Sequence, residues 1–105
     1  MERIEGSNGQ VEFTGRSVHI TRDGFAGGAS HLPGDTIPMG AITDVTVHPP
    51  HALIPGFIHF HTVGDVAPTN YVAATRNSRT VLFKKKSADD IETLRATLQA
   101  IIDSR

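Results

Sequence analysis

The apolar residues of this chain follow two different periods, and the change falls near Ser87. Before Ser87, short runs alternate apolar and polar residues between glycine, proline and small polar residues, which is the pattern of half-buried strands. After Ser87, apolar residues recur about every 3.6 residues, which predicts an amphipathic helix of about 16–17 residues with Ser87 as its N-cap. The predicted strands cover residues 11–13, 17–22, 36–39, 42–48, 56–63, 71–76 and 80–84. Six or seven strands followed by one helix predict an α+β fold that is mainly β.

Irregular pairing is expected at two places in this strand pattern. Pro38 has no amide N–H to donate, so it is expected at a strand edge or a bulge. Ile42 is out of phase with Val45 and Val47, which predicts a bulge near Thr43. A sheet of this length must curl or close to hide its apolar face, and the helix can cover one open end.

Composition excludes several classes of protein. The chain has 105 residues, a formal net charge of −1 and no cysteine, so it is expected to form one domain over residues 1–105. The lack of cysteine excludes disulfide scaffolds, cysteine-ligated metals and thiol catalysis. The near-neutral charge argues against a dedicated nucleic-acid binder. No apolar run is long enough to span a membrane, and the charged start is unlike a signal peptide, so a cytoplasmic location is expected, either free or peripheral to a membrane.

The order of several short motifs resembles a known family. Residues 9–15 and 18–22 are similar to the opening of a bacterial pleckstrin-homology-like (PH-like) domain. Residues 37–45 resemble its "IPL-x-x-I-x-x-V" core, residues 56–60 its "G-Y-I-x-F" strand, and residues 80–83 its "x-V-x-F" strand. The family so resembled is the one catalogued as domain of unknown function 4429, and the resemblance covers residues 9–102, the expected core of the domain.

This resemblance implies a partly open, PH-like antiparallel barrel of about seven strands, capped by the C-terminal helix. It implies no biochemical activity, because the family has none assigned. Eukaryotic relatives of the fold bind phosphoinositides through a basic first hairpin, where this chain offers only Arg16 and Arg22. Fold alone does not assign function.

Histidines form the first group of candidate site residues. Side chains alternate along a strand, so Ile58 and Phe60 are expected to point into the core. His59 and His61 then share the outward face, and a hairpin through residues 49–55 would bring Asp44 and His48 to that face. Imidazoles and a carboxylate on adjacent strands predict a metal site made of Asp44, His48, His59 and His61. The alternatives are an exposed polar sheet face, or an interface that weakens as the histidines gain protons near pH 6.

A basic segment forms the second group. Arg79, Lys84, Lys85 and Lys86 lie around the end of the last strand, next to the start of the helix, where backbone N–H groups favour anions. This pattern predicts a site for a phosphate or an anionic lipid headgroup. The alternative is a solvated strand end whose charge is offset by Asp89 and Asp90.

Apolar residues in predicted loops form the third group. Leu53 and Ile54 stand between prolines, and Phe25 lies in a glycine-rich loop. If exposed, they are candidates for contact with a partner or a membrane, together with the outward-facing Phe57. The alternative is that these loop residues cover the mouth of the barrel.

Catalytic motifs are missing from the sequence. It contains no G-x-S-x-G and no phosphate-binding G-x-x-x-x-G-K-[ST] segment, and no motif that implies a cofactor. The leading hypothesis is therefore a non-enzymatic PH-like module that binds a protein partner, with self-association as one form of this. The other hypotheses are peripheral binding of an anionic lipid or another anion, and metal binding by the histidines.

Overall fold

The computed structural model describes residues 2–22 and 32–105 as two antiparallel sheets and a C-terminal helix. The first sheet has the order β1-β2-β3-β4 and the second the order β5-β6-β7. The strands are β1 (Ile4–Glu5), β2 (Gln10–Phe13), β3 (Ser17–Thr21), β4 (Asp35–Pro38), β5 (Ile42–His48), β6 (Gly56–Thr62) and β7 (Thr80–Phe83). The α-helices are α1 (Tyr71–Ala74) and α2 (Ala88–Asp103), and short 3-10 helices lie at Met39–Ala41 and Lys85–Ser87. The predicted α+β class, mainly β, is confirmed.

The two sheets share one core with α2. Ile58 and Phe60 of β6 are fully buried in it, as are Ile91 and Leu94 of α2. This confirms the face predicted for the two β6 residues and the 3.6-residue period predicted for the helix. The hydrogen-bonded ladder does not run from one sheet into the other in the described residues, so the sheets do not close into the predicted barrel.

The turn between β1 and β2 joins the two sheets at one corner. Ser7 donates its amide N–H to the carbonyl of Leu82 at 2.7 Å, and the Asn8 side chain accepts from the Leu82 amide at 2.9 Å. Arg22 spans the same corner, because its guanidinium donates to the carbonyls of Asn8, Ser78 and Thr80. These hydrogen bonds connect the first sheet to β7 at one corner, where no strand-to-strand pairing joins the two sheets.

Most predicted strand positions are confirmed, and the predicted bulge is present. Pairing of β5 with β6 shifts register between Ile42 and Asp44, on either side of Thr43. Pro38 is the last residue of β4, an edge strand of its sheet, as its missing N–H requires. The short strand β1 was not predicted, since two residues carry no detectable period.

The predicted strand at residues 71–76 is wrong, because Tyr71–Ala74 forms the short helix α1. The Asn70 side chain accepts a hydrogen bond from the Ala73 amide at 2.8 Å and so caps the helix. Four residues are too few to separate a helical period from a strand period, so the capping residue decides the outcome.

Helix α2 begins directly after Ser87, as predicted, although the Ser87 hydroxyl does not cap it. That hydroxyl donates instead to the carbonyl of Glu5 at 2.9 Å, which ties the start of the helix to β1. At the other end, Arg105 donates to the carbonyls of Met39 and Ile42. In the described part of the chain, no helix combines the length and apolar character needed to cross a membrane.

Gly6→Ala is expected to destabilise the fold, because a methyl group there would meet the Leu82 carbonyl oxygen at 2.4 Å and the Val81 side chain at 2.6 Å. Overpacking of this kind costs about 1–3 kcal/mol. Chemical denaturation measures the loss in free energy of unfolding. Gly40→Ala is the matched control, since nothing lies within 4 Å of the added carbon. Equal stability of the two variants would contradict the close packing of the first turn on β7.

Candidate functional site

The loop between β5 and β6 presents an apolar tip to solvent. His51 and Ile54 exchange two backbone hydrogen bonds of 3.0 and 2.9 Å, which close a tight turn around Ala52 and Leu53. Ala52 has a φ of 52°, in the left-handed region that non-glycine residues rarely adopt. Leu53 is 99 % exposed and Ile54 51 %, so the alternative in which they cover the core is wrong.

Strand register places two of the predicted basic residues beside this tip. β6 pairs antiparallel with β7, and Gly56 lies opposite Phe83. Lys84, the residue after Phe83, therefore lies beside the end of the β5–β6 loop, and Lys85 begins a short 3-10 helix at the same place. Lys84 and Lys85 accordingly line one groove of about 730 Å³ with Pro50, Ala52, Leu53, Ile54 and Pro55.

We name the exposed apolar tip, residues 50–55, together with the adjacent Lys84 and Lys85, the loop–lysine surface. Lys84, Lys85 and Lys86 are all exposed, and none forms an ion pair with a described residue. Lys84 and Lys85 thus adjoin two exposed aliphatic side chains, and Lys86 is the next residue along the chain. The sequence did not show this combination, because about thirty residues separate the lysines from the loop.

Arg79 does not belong to this surface. Arg79 precedes β7, whereas the lysines follow this strand. Arg79 and Lys84 therefore lie about 16 Å apart at the usual rise per strand residue. The Nε of Arg79 donates to Asp35 at 3.2 Å, and its Nη1 donates to the Thr62 hydroxyl. The predicted grouping of Arg79 with the lysines is therefore not found in the structure.

The outward face of the second sheet is covered by the chain itself. Residues 63–76 cross over it, and Phe57, Ala74 and Leu82 form a second, small buried cluster there. Phe57 is thus not exposed as an interface candidate should be, although His48 stacks on its ring with centroids 4.3 Å apart. Phe25, the other aromatic candidate, lies outside the described residues.

His59 is buried on this covered face and is held on both ring nitrogens. It is 1 % exposed, so the expectation of a solvated polar face is wrong for this residue. Its Nδ1 hydrogen-bonds the Thr80 hydroxyl at 2.7 Å, and its Nε2 contacts a carboxylate oxygen of Asp65. Burial lowers the pKa of His59 below its ordinary 6.5, because the lost hydration of the imidazolium outweighs the attraction of Asp65.

The histidine cluster differs in membership from the predicted metal site. His59, His61 and Asp65 each offer one ligand atom, and these atoms lie within 4.8 Å of one another. Asp44 and His48 are not part of this group. Asp44 lies opposite His61 in the register, but its carboxylate accepts from the Val45 amide and is exposed.

Asp65 was missed because a turn, not a strand period, brings it to the cluster. The Asp65 amide donates to the Thr62 carbonyl at 3.0 Å, and Gly64 has a φ of 80°. This tight turn folds Asp65 back beside the end of β6. The Gly64-Asp65 pair, directly after the strand predicted for residues 56–63, is the one signal in the sequence that could have indicated it.

Comparison of the chain with known proteins finds no matching family model, no matching curated protein and no matching solved structure.

We expect the His59 ring to titrate below pH 6.5 when measured by NMR with a chelator present, because burial lowers its pKa. At a pH between the pKa of His59 in the folded chain and its pKa in the unfolded chain, only the unfolded chain carries a proton on this imidazole. The free energy of unfolding should therefore decrease as the pH falls below about 6.5. Below the pKa of His59 in the folded chain, protonation of His59 should cause no further decrease.

His59→Gln should remove this part of the pH dependence, whereas His51→Gln, a change at an exposed histidine of the loop, should keep it. Asp65 and His61 are the titratable groups that face His59, and they oppose each other in their effect on it. A midpoint for His59 above 6.5 would show that Asp65 outweighs burial.

Proposed function

We propose that this protein is a non-enzymatic interaction module of PH-like architecture that attaches reversibly to anionic membranes through the loop–lysine surface. The observation that carries the proposal is the juxtaposition of the exposed Leu53 and Ile54 with Lys84 and Lys85 in one groove. Aliphatic side chains can enter the boundary between headgroups and acyl chains, while lysines remain at the level of the phosphates.

The architecture supports the PH-like part of this proposal. Two antiparallel sheets of four and three strands and a C-terminal helix agree with the order of elements that the resemblance implies. The first hairpin, which carries the lipid site of eukaryotic relatives, is a poor candidate here. Arg22 is engaged by three backbone carbonyls, which leaves Arg16 alone.

Energetics indicate weak, reversible attachment. Lys84 and Lys85 contribute about 1 kcal/mol each near an anionic surface, and burial of one leucine adds about 1.5–3 kcal/mol. The sum of about 4 kcal/mol corresponds to a dissociation constant of about 1 mM. One copy of the module would therefore bind transiently, and stable attachment would need several copies or a second contact.

The apolar tip is suited to this task because it is ordered before binding. The paired backbone hydrogen bonds of His51 and Ile54 fix the turn, and the flanking prolines restrict the adjoining backbone. Less conformational entropy is then lost when Leu53 enters the membrane.

The purified chain should sediment with vesicles that contain phosphatidylserine and much less with neutral vesicles, and high salt should reduce binding. Lys84→Ala with Lys85→Ala should weaken binding about thirty-fold, because two lysines contribute about 2 kcal/mol. Leu53→Ser should weaken binding to both kinds of vesicle. Arg16→Ala with Arg76→Ala is the matched control for charge and should bind like the natural chain.

Equal binding of the natural chain to anionic and neutral vesicles, or an equal loss in the arginine control, would overturn the lipid proposal. Binding that depends on Leu53 but not on the lysines would instead indicate an apolar protein partner at this loop.

A protein partner, including a second copy of the chain, is the second candidate function, and a separate surface favours it. Val63, Val66 and Val72 are all exposed on the segment that covers the second sheet. Exposed aliphatic residues carried on one segment are candidates for contact with a partner.

If these valines mediate self-association, the mass measured by light scattering should rise above that of the monomer at high micromolar concentration. Val63→Ser with Val66→Ser should return it to the monomer value, and Leu53→Ser should not. A monomer mass for the natural chain at all concentrations would exclude self-association through this segment.

A further inference from the structure

The end of β6 carries a compact group of nitrogen and oxygen ligands that the membrane proposal does not use. His59 and His61 are two residues apart on the same face of β6, and the turn after the strand returns Asp65 to them. One ligand atom of each lies within 4.8 Å of the others. Two imidazoles and one carboxylate form the donor set that borderline divalent transition metals prefer.

We propose that His59, His61 and Asp65 bind one divalent transition-metal ion, with Zn²⁺ as the expected occupant, and that the ion fastens residues 63–76 to the second sheet. Three protein ligands would leave one position of a tetrahedral site for water. These three ligands lie in one chain and away from the loop–lysine surface, so metal binding does not depend on membrane binding.

The distances fit such an ion after small side-chain movements. Zinc bonds of about 2.0–2.1 Å place tetrahedral ligand atoms about 3.3 Å apart. His59 and Asp65 are already in contact, so an ion must separate them slightly. His61 is only half-buried, and its ring can move inward by exchanging its contact with the Thr46 hydroxyl for the metal.

The hydrogen bond between Nδ1 of His59 and the Thr80 hydroxyl supports a role for His59 as a metal ligand. Histidines that bind metals usually use one ring nitrogen for the ion and donate the other N–H to an acceptor, which fixes the ring. Thr80 supplies that acceptor, since its hydroxyl lies 2.7 Å from Nδ1 of His59. In the metal-free chain a proton on Nε2 can bridge to Asp65. With metal bound the proton resides on Nδ1, so the imidazole stays neutral in both states.

Charge and access are also suitable. Asp65 is 13 % exposed, so its carboxylate is largely withdrawn from water yet reachable. A surface depression of about 320 Å³ lined by Thr62, Gly64, Asp65 and Asn77 leads to it from solvent. Arg79 also borders this depression, but it is paired with Asp35 at 3.2 Å, which offsets its repulsion of a cation.

The experiment is a calorimetric titration of the full chain with zinc salt after treatment with a chelator. We expect one equivalent of Zn²⁺ to bind and to raise the melting temperature as its concentration increases. Co²⁺ in place of Zn²⁺ should give the intense visible absorption of a tetrahedral site. Asp65→Asn and His61→Asn should each weaken zinc binding by at least about a hundredfold, since loss of even an outer partner costs 10–100-fold in typical sites.

Asp44→Asn and His48→Asn are the matched controls, because they make the same chemical changes at residues outside the cluster. Both should bind zinc like the natural chain. His61→Asn keeps the test decisive if Asp65→Asn fails to fold, because His61 does not hold the covering segment. The proposal is overturned if the natural chain takes up no zinc at about 0.1 mM, if His61→Asn binds with unchanged affinity, or if either control loses the ion.

Discussion

Burial of β6 on both faces is the constraint on which the rest of the structure depends. One face of the strand places Ile58 and Phe60 in the main core, and the other places Phe57 and His59 beneath residues 63–76. A sheet in a domain of this size commonly leaves one face to water. Here the chain must instead supply apolar residues that cover the second face and hydrogen-bond partners for a buried imidazole.

That requirement explains why polar groups converge at the end of β6. A buried imidazole without partners would cost about 1–3 kcal/mol for each unsatisfied atom. Thr80 satisfies His59 from the neighbouring strand, and Asp65 satisfies it from the turn that begins the covering segment. The same contacts that make burial tolerable therefore also create the group of potential metal ligands.

The basic residues divide in a way that the net charge conceals. Arg22 and Arg79 serve the fold, the first through backbone carbonyls at the corner between the sheets and the second through Asp35. Lys84, Lys85 and Lys86 have no such role among the described residues. These three consecutive exposed lysines thus form a local concentration of positive charge, although the whole chain carries a formal charge of only −1.

Strands and core positions that follow from the spacing of apolar residues could be predicted from the sequence. Contacts that depend on a capping side chain or a tight turn could not. Alternation located most strands, and it identified Ile58 and Phe60 as core residues. It failed at Tyr71–Ala74, where a single capping side chain outweighs a short apolar pattern. It also failed to include Asp65, because a turn can bring residues together at any spacing.

The two candidate sites occupy opposite ends of one strand, and this arrangement decides how they relate. Gly56 at the start of β6 adjoins the loop–lysine surface through its pairing with Phe83, whereas His61 lies near the other end. Five residues of extended strand separate them by about 16 Å. Sites this far apart that share no side-chain partner usually contribute additively to the free energy. Any coupling would have to pass along β6 or its neighbour β7, and the burial of both strands leaves them little freedom to move. The strand therefore holds both sites in fixed relation while keeping them energetically separate.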